Sequence, residues 1–281
     1  MKEGEILNDW IIENLNNAFA TWNEKLGELW TLAATSPENF KGGAVWGVML
    51  NIHGTLLAVG YALLLLFFAM SLFKNTANFH ELKRPEAAVH YLIRFVAAKT
   101  AVGYGMEIML KVFAICNGIV GQVAAGMGGI SQAMVALPAE IEQTIGDVGF
   151  LASIPLWLVT ILGSLFITVL SFVMILTVYG RFFRLYMYTA LAPVPLSTFA
   201  GESTQSVGVA FLKTYVGVCM EGAVIVLACI IYSGFVSTPV VTGGAATSVV
   251  WSYLAETVFN MLVLVGLIKG SDRIIHEMMG L

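Results

Sequence analysis

The feature that most constrains this chain is a run of 33 residues, Val148–Gly180, that contains no Asp, Glu, Lys or Arg. A helix rises about 1.5 Å per residue, so about 20 apolar residues cross the hydrocarbon of a bilayer. An uncharged run of this length is a membrane helix. Composition extends the point to the whole chain. Of its 281 residues, 58% are hydrophobic and 11% charged, against about 45–50% and about 25% in soluble domains. A soluble enzyme, a disordered chain and a nucleic-acid-binding domain of the basic-patch kind are excluded. The formal net charge of −4 gives no general attraction for phosphate backbones.

The pattern predicts an all-α fold: a polytopic membrane helix bundle of about five transmembrane helices, with an N-terminal amphipathic helix and a short C-terminal amphipathic helix. The spans fall at about 49–73, 101–125, 152–179, 208–236 and 247–269. Pro155 lies in the first turn of the third, where proline is tolerated. Residues 1–41 form a separate N-terminal segment with seven acids and three lysines. In it Leu7, Ile11, Leu15, Ala18, Trp22, Leu26 and Leu29 recur at spacings of four and three, and Glu13, Asn16, Asn17, Glu24 and Glu28 lie opposite. That predicts a helix over about 5–31 whose apolar side is a contact face, closed by a loop at Ser36-Pro37. An acidic helix suits protein or the outer leaflet better than an anionic membrane surface. Its start, MKEGEILNDW, does not read as a secretory leader.

Residues 74–99 read as a basic loop broken by Pro85, with an interfacial helix beginning within Tyr91–Ala98. The glycine-rich stretch 126–139 reads as irregular, and a re-entrant turn there is left open. Arg181 and Arg184 are expected to stop the third span. Pro193 and Pro195 should then make 185–201 an apolar loop on the cytoplasmic side, since each removes a donor and disfavours helix in the residue before it. Gly270 reads as a helix stop, followed by a tail, 270–281, with Ser271 capping a short helix. The transmembrane domain is thus 42–269.

Basic residues orient these spans. Loop 74–99 carries five, loop 181–205 two and the end from Lys269 two, while loops 140–147 and 237–246 carry none. The positive-inside rule makes the basic segments cytoplasmic. The N-terminus is then outside and the C-terminus inside. A sixth span through 185–201 would break that alternation.

Candidate functional residues are the ionisable groups at membrane depth: Lys99, Glu107, Lys111, Lys213, Glu221 and Glu256. Charges in hydrocarbon are costly, so such groups face protein or water. Glu107 and Lys111 are four apart and can pair along one helix face. Lys213 and Glu221 share a face two turns apart, as do Glu256 and Asn260 one turn apart. One use of them is a wet, charged interior for passage or coupling. The other is pairing between helices that sets bundle register, with Lys99 and Lys213 snorkelling from helix ends. His53, alone in the first span, fits a hydrogen-bonded bundle residue better than a relay or ligand, and His80, His90 and His276 do not cluster. Cys116, Cys219 and Cys229 are scattered through apolar stretches and read as small packing residues. The chain has no phosphate-binding loop, no H-E-x-x-H and no nucleophile elbow. No catalytic residue, metal ligand or cofactor is expected. Any energy for transport comes from a partner or an ion gradient.

The five-span layout and the run RFFRLYMYTALAPVPLSTFAGE, Arg181–Glu202, resemble the polytopic TrbL-type conjugal transfer proteins of type IV secretion systems. The likeness is strongest to the versions on conjugative elements of Gram-positive bacteria. The resemblance implies a non-enzymatic channel or scaffold subunit of the cytoplasmic-membrane complex. It further implies a homo-oligomer in contact with other secretion subunits, including a partner ATPase. Single-stranded DNA with its protein would pass without sequence-specific binding. It also marks Arg181, Arg184, Pro193 and Pro195 as a family-like loop. The alternative from the residues alone is a small-molecule or ion permease, with the intramembrane Glu and Lys side chains as its coupling site.

Overall fold

The computed structural model describes residues 2–76, 85–126, 134–236 and 246–280. Among these there are only helices, turns and loops. The α-helices among them are α1 (Lys2–Ala34), α2 (Ala44–Thr76), α3 (Pro85–Gly103), α4 (Gly105–Ala125), α5 (Ala139–Gly146), α6 (Phe150–Leu191), α7 (Pro193–Ser197), α8 (Gln205–Val236) and α9 (Ala246–Met279). Single 3-10 turns lie at Phe40–Gly43 and Thr198–Ala200. Five helices are apolar and long enough to cross a membrane, within Phe40–Lys74, Gly105–Ala125, Phe150–Leu191, Gln205–Gly234 and Thr247–Met279. Their exposed sides carry Leu65, Leu66, Ile115, Leu158, Phe172, Leu227 and Phe259, the surface a lipid-facing helix presents. The fold is therefore a polytopic helical membrane protein. His80, Lys83, Arg84, residues 127–133 of the glycine stretch and the Pro239 turn lie outside the described residues.

The chain packs as two compact units. The first combines α1 with 121–179, 223–236 and 246–271. Here the expected contact face of α1 is the core. Ile11, Leu15, Trp22 and Leu29 are fully buried, Leu26 nearly so, and Leu7 half-buried. Polar side chains of α1 complete the backbone around it. The last carbonyls of a helix have no partner of their own. Asn8 Nδ2 donates to the carbonyls of Gly146 (3.2 Å) and Val148 (3.1 Å), at and just beyond the end of α5. Ser153 Oγ donates to Asn8 Oδ1 at 2.7 Å. Asn23 holds the non-helical residue Val135 by both its N–H (2.9 Å) and its carbonyl (2.8 Å). Trp22 rests on Tyr232 and Phe19 meets Tyr253 edge-on.

The second unit combines 35–120, 180–222 and 272–280. Lys41, Gly42 and Gly43 have positive φ, and a Cβ on Gly43 would meet the Glu38 carbonyl at 2.8 Å. Glycine thus permits the tight turn into α2. α2 packs closely on α7, and a Cβ on Gly60 would lie 2.9 Å from the Pro193 Cβ and carbonyl oxygen. Phe40 stacks on Phe182 with centroids 4.0 Å apart, and Tyr186 donates to the Pro37 carbonyl at 2.9 Å.

Three expectations about helix ends are corrected. α6 does not stop at Arg181 but runs to Leu191, so Arg181 and Arg184 are helix residues. Arginine is a good helix former, and a charge marks a change of surroundings rather than the end of a helix. The stretch 185–201 is not a loop: α6 is followed by α7, with Pro193 at its first turn, and by the Thr198–Ala200 turn. Ala192 stays helical (φ −47°, ψ −40°) before Pro193. The bias of a pre-proline residue away from helix yields to packing against α2. Gly270 does not end α9, which continues to Met279. A glycine inside a helix costs about 1 kcal/mol, less than the burial of Ile268, Ser271 and Ile275 around it.

Candidate functional site

The charges that the structure gathers are in the second unit. Arg181 is fully buried. Its Nε donates to the Val218 carbonyl (3.3 Å) and its Nη2 to that of Cys219 (3.2 Å), and its guanidinium carbon lies 5.9 Å from the Phe113 ring centroid. A Cβ on Gly222 would meet the guanidinium at 2.9 Å, so the missing side chain lets the cation reach the α8 backbone. One turn on, Arg184 bridges two acids. Its Nη2 donates to Glu221 Oε2 at 2.7 Å and its Nη1 to Asp272 Oδ1 at 2.6 Å. His276 Nε2 lies 3.4 Å from the same Asp272 oxygen. One arginine thereby ties α6, α8 and the end of α9. The planar fork of arginine suits such two-point binding, and the buried Glu221, 2% exposed, has its charge matched.

The remaining predicted residues fall elsewhere. Glu221 pairs with Arg184, not with Lys213. Lys213 is exposed in a shallow cleft with Glu202, Gln205 and Ser206. Glu107 and Lys111 form no mutual ion pair. Both are exposed and line an open cleft of about 620 Å³ with Ser36, Glu38, Phe113 and Asn117. Lys99 is exposed on α3, and Glu256 is half-buried in the first unit. Pro193 is buried against Gly60, and Pro195 is half-buried. His53 is buried and its Nδ1 meets the Thr189 carbonyl at 2.8 Å, a bundle contact. The three cysteines are buried and free. Among the described residues no group of three or more His, Cys, Asp and Glu side chains is placed to hold a metal.

Sequence reasoning missed Asp272 and the burial of Arg181. The signal was present: Asp272 lies four residues before His276, and Arg181 and Arg184 are one turn apart. Reading Gly270 and the arginines as helix ends hid it.

Continuous apolar helices and a charge clasp among three of them define a polytopic helical membrane protein. The family model described as TrbL/VirB6 plasmid conjugal transfer like protein matches residues 22–193. The match covers more than half of the chain, and the chain belongs to that family. Neither a curated protein nor a solved structure matches it.

Proposed function

We propose that this chain is a non-enzymatic channel or scaffold subunit of a conjugative type IV secretion machine, contributing to passage of single-stranded DNA with its protein across the cytoplasmic membrane. The observation that carries the reading is the family match over 22–193, a segment that holds three of the five apolar helices at least in part and ends inside the Arg181–Glu202 run. The subunit assembles as a homo-oligomer and meets other secretion subunits, including an ATPase that supplies the energy. Its N-terminus lies outside and its C-terminus in the cytoplasm, as the distribution of Lys and Arg supports.

The test is an in-frame deletion in a donor cell. The expected result is loss of conjugal transfer, restored by the wild-type chain, with solute uptake unchanged. The competing permease reading predicts uptake by the purified protein alone in liposomes, abolished by Glu107→Gln or Glu256→Gln. That outcome would overturn the assignment.

A further inference from the structure

Two of the three cysteines meet in the second unit. Cys116 is on α4 and Cys219 on α8, 4% and 0% exposed. The Cys219 S–H donates to the Cys116 sulfur. Contacts beside them hold the two helices in this register. Tyr215, one turn before Cys219, donates from its hydroxyl to the Met109 carbonyl at 2.9 Å, and Met109 lies about two turns before Cys116. A helical side chain leans toward the N-terminus of its helix, so the long phenol covers the remaining turn. α4 and α8 therefore run in the same direction with the two thiols level.

Arg181 fixes the backbone of the second cysteine. Its Nη2 donates to the Cys219 carbonyl (3.2 Å) and its Nε to that of Val218 (3.3 Å). Its guanidinium carbon lies 5.9 Å from the ring of Phe113, one turn before Cys116 and buried like it. The cation thus touches both helices at the level of the thiols, and its charge acts on both sulfurs. Disulfide exchange proceeds through a thiolate, and a neighbouring cation supports that charge while the sulfur attacks. The two cysteines are not equivalent. Cys116 accepts the hydrogen bond, and its helix neighbours Phe113, Ala114 and Asn117 line the open cleft of about 620 Å³. Cys219 is closed off from solvent.

We propose that Cys116 and Cys219 are a redox pair whose disulfide locks α4 to α8 and whose reduction frees them. The oxidant is a low-molecular-weight disulfide. The Cys116 thiolate attacks one of its sulfurs, its S–S bond breaks as the mixed disulfide forms, and the leaving thiolate takes up the proton that Cys116 gave. Cys219 then attacks the Cys116 sulfur, and its proton goes to the second leaving thiolate. Two protein thiols become one S–S bond, and the small disulfide becomes two thiols. An excess of small thiol reverses both steps. Bridging segments so far apart in sequence restrains the unfolded chain and opposes motion of α4 against α8. None of this rests on the translocation reading.

The test is a thiol count on the detergent-solubilised full chain. Reduced protein is oxidised with diamide, which takes one hydrogen from each of two thiols. The reagent is removed, the chain is unfolded, and its thiols are capped with a maleimide and counted by mass. The wild-type chain, with its three free cysteines, should carry three caps before oxidation, one after it and three again after reduction. Digestion should yield a linked peptide pair holding Cys116 and Cys219. Cys116→Ser and Cys219→Ser should each keep both remaining thiols, and Cys229→Ser should lose both of its own. The oxidised wild-type chain should also stay monodisperse several degrees higher on gel filtration after heating. Three caps on the oxidised wild-type chain, or linkage through Cys229 or between chains, would overturn the pairing. An unchanged midpoint would overturn the lock. The wild-type counts decide the pairing even where a serine variant fails to fold.

Discussion

Arg184→Ala should be the most damaging single truncation in the charge clasp. The substitution removes charge-assisted hydrogen bonds of 2.7 Å to Glu221 and 2.6 Å to Asp272. The two acids respond differently. Asp272 is 45% exposed and is re-solvated, an effect of about 0–1 kcal/mol. Glu221 is 2% exposed and keeps a buried carboxylate without its partner, a loss of about 3–5 kcal/mol. In a chain of this size each kcal/mol moves Tm by about 2–4 °C, so the midpoint should fall by roughly 6–20 °C. The assay is the fraction of detergent-solubilised protein that stays monodisperse on gel filtration after graded heating. Asp272→Asn should move the midpoint by only a few degrees. The double variant Arg184→Met with Glu221→Met should recover part of the loss, since the unpaired Glu221 carboxylate is gone while the fully buried Arg181, whose charge Glu221 also offsets, stays. Equal, small shifts for Arg184→Ala and Asp272→Asn, or a double variant no better than the single, would refute the reasoning.

Three further outcomes follow from close packing. Gly60→Ala places a Cβ 2.9 Å from the Pro193 backbone; the overpacking should cost about 1–3 kcal/mol, read as a lower gel-filtration midpoint, and an unchanged midpoint contradicts the α2–α7 contact. Trp22→Ala empties a fully buried site and should cost about 3–5 kcal/mol. It should therefore lower the yield of folded protein itself rather than only weaken assembly, and a stable but dissociated chain on a native gel would count against it. Asn8→Leu removes the partner of Gly146 and Val148, about 1–3 kcal/mol per buried group left unmatched; amide exchange over 139–148 should quicken, and unchanged protection would exclude that role.

The helical membrane class was legible because hydrocarbon demands long apolar helices whatever their partners. The α1 face was legible for a similar reason: a period of 3.6 survives any docking arrangement, and Ile11, Leu15, Trp22, Leu26 and Leu29 are buried as their spacing implied. Helix ends were not. Arg181, Pro193 and Gly270 are local stop signals, and each was overridden by contacts distant in sequence: α8 carbonyls for Arg181, Gly60 for Pro193, and core burial around Gly270. The charge pairs were illegible for a related reason. Spacing along one helix suggested Glu107 with Lys111, whereas the pair that forms, Arg184 with Glu221, joins two helices and requires their packing to be known.

The central claim is that this chain serves a conjugative machine from within the membrane. Transfer frequency of the element that encodes it, measured from a donor with the gene deleted in frame and from the same donor carrying a wild-type copy, tests it most directly. The account predicts transfer abolished in the first and restored in the second, with growth and solute uptake alike in both. Undiminished transfer from the deleted donor would contradict it.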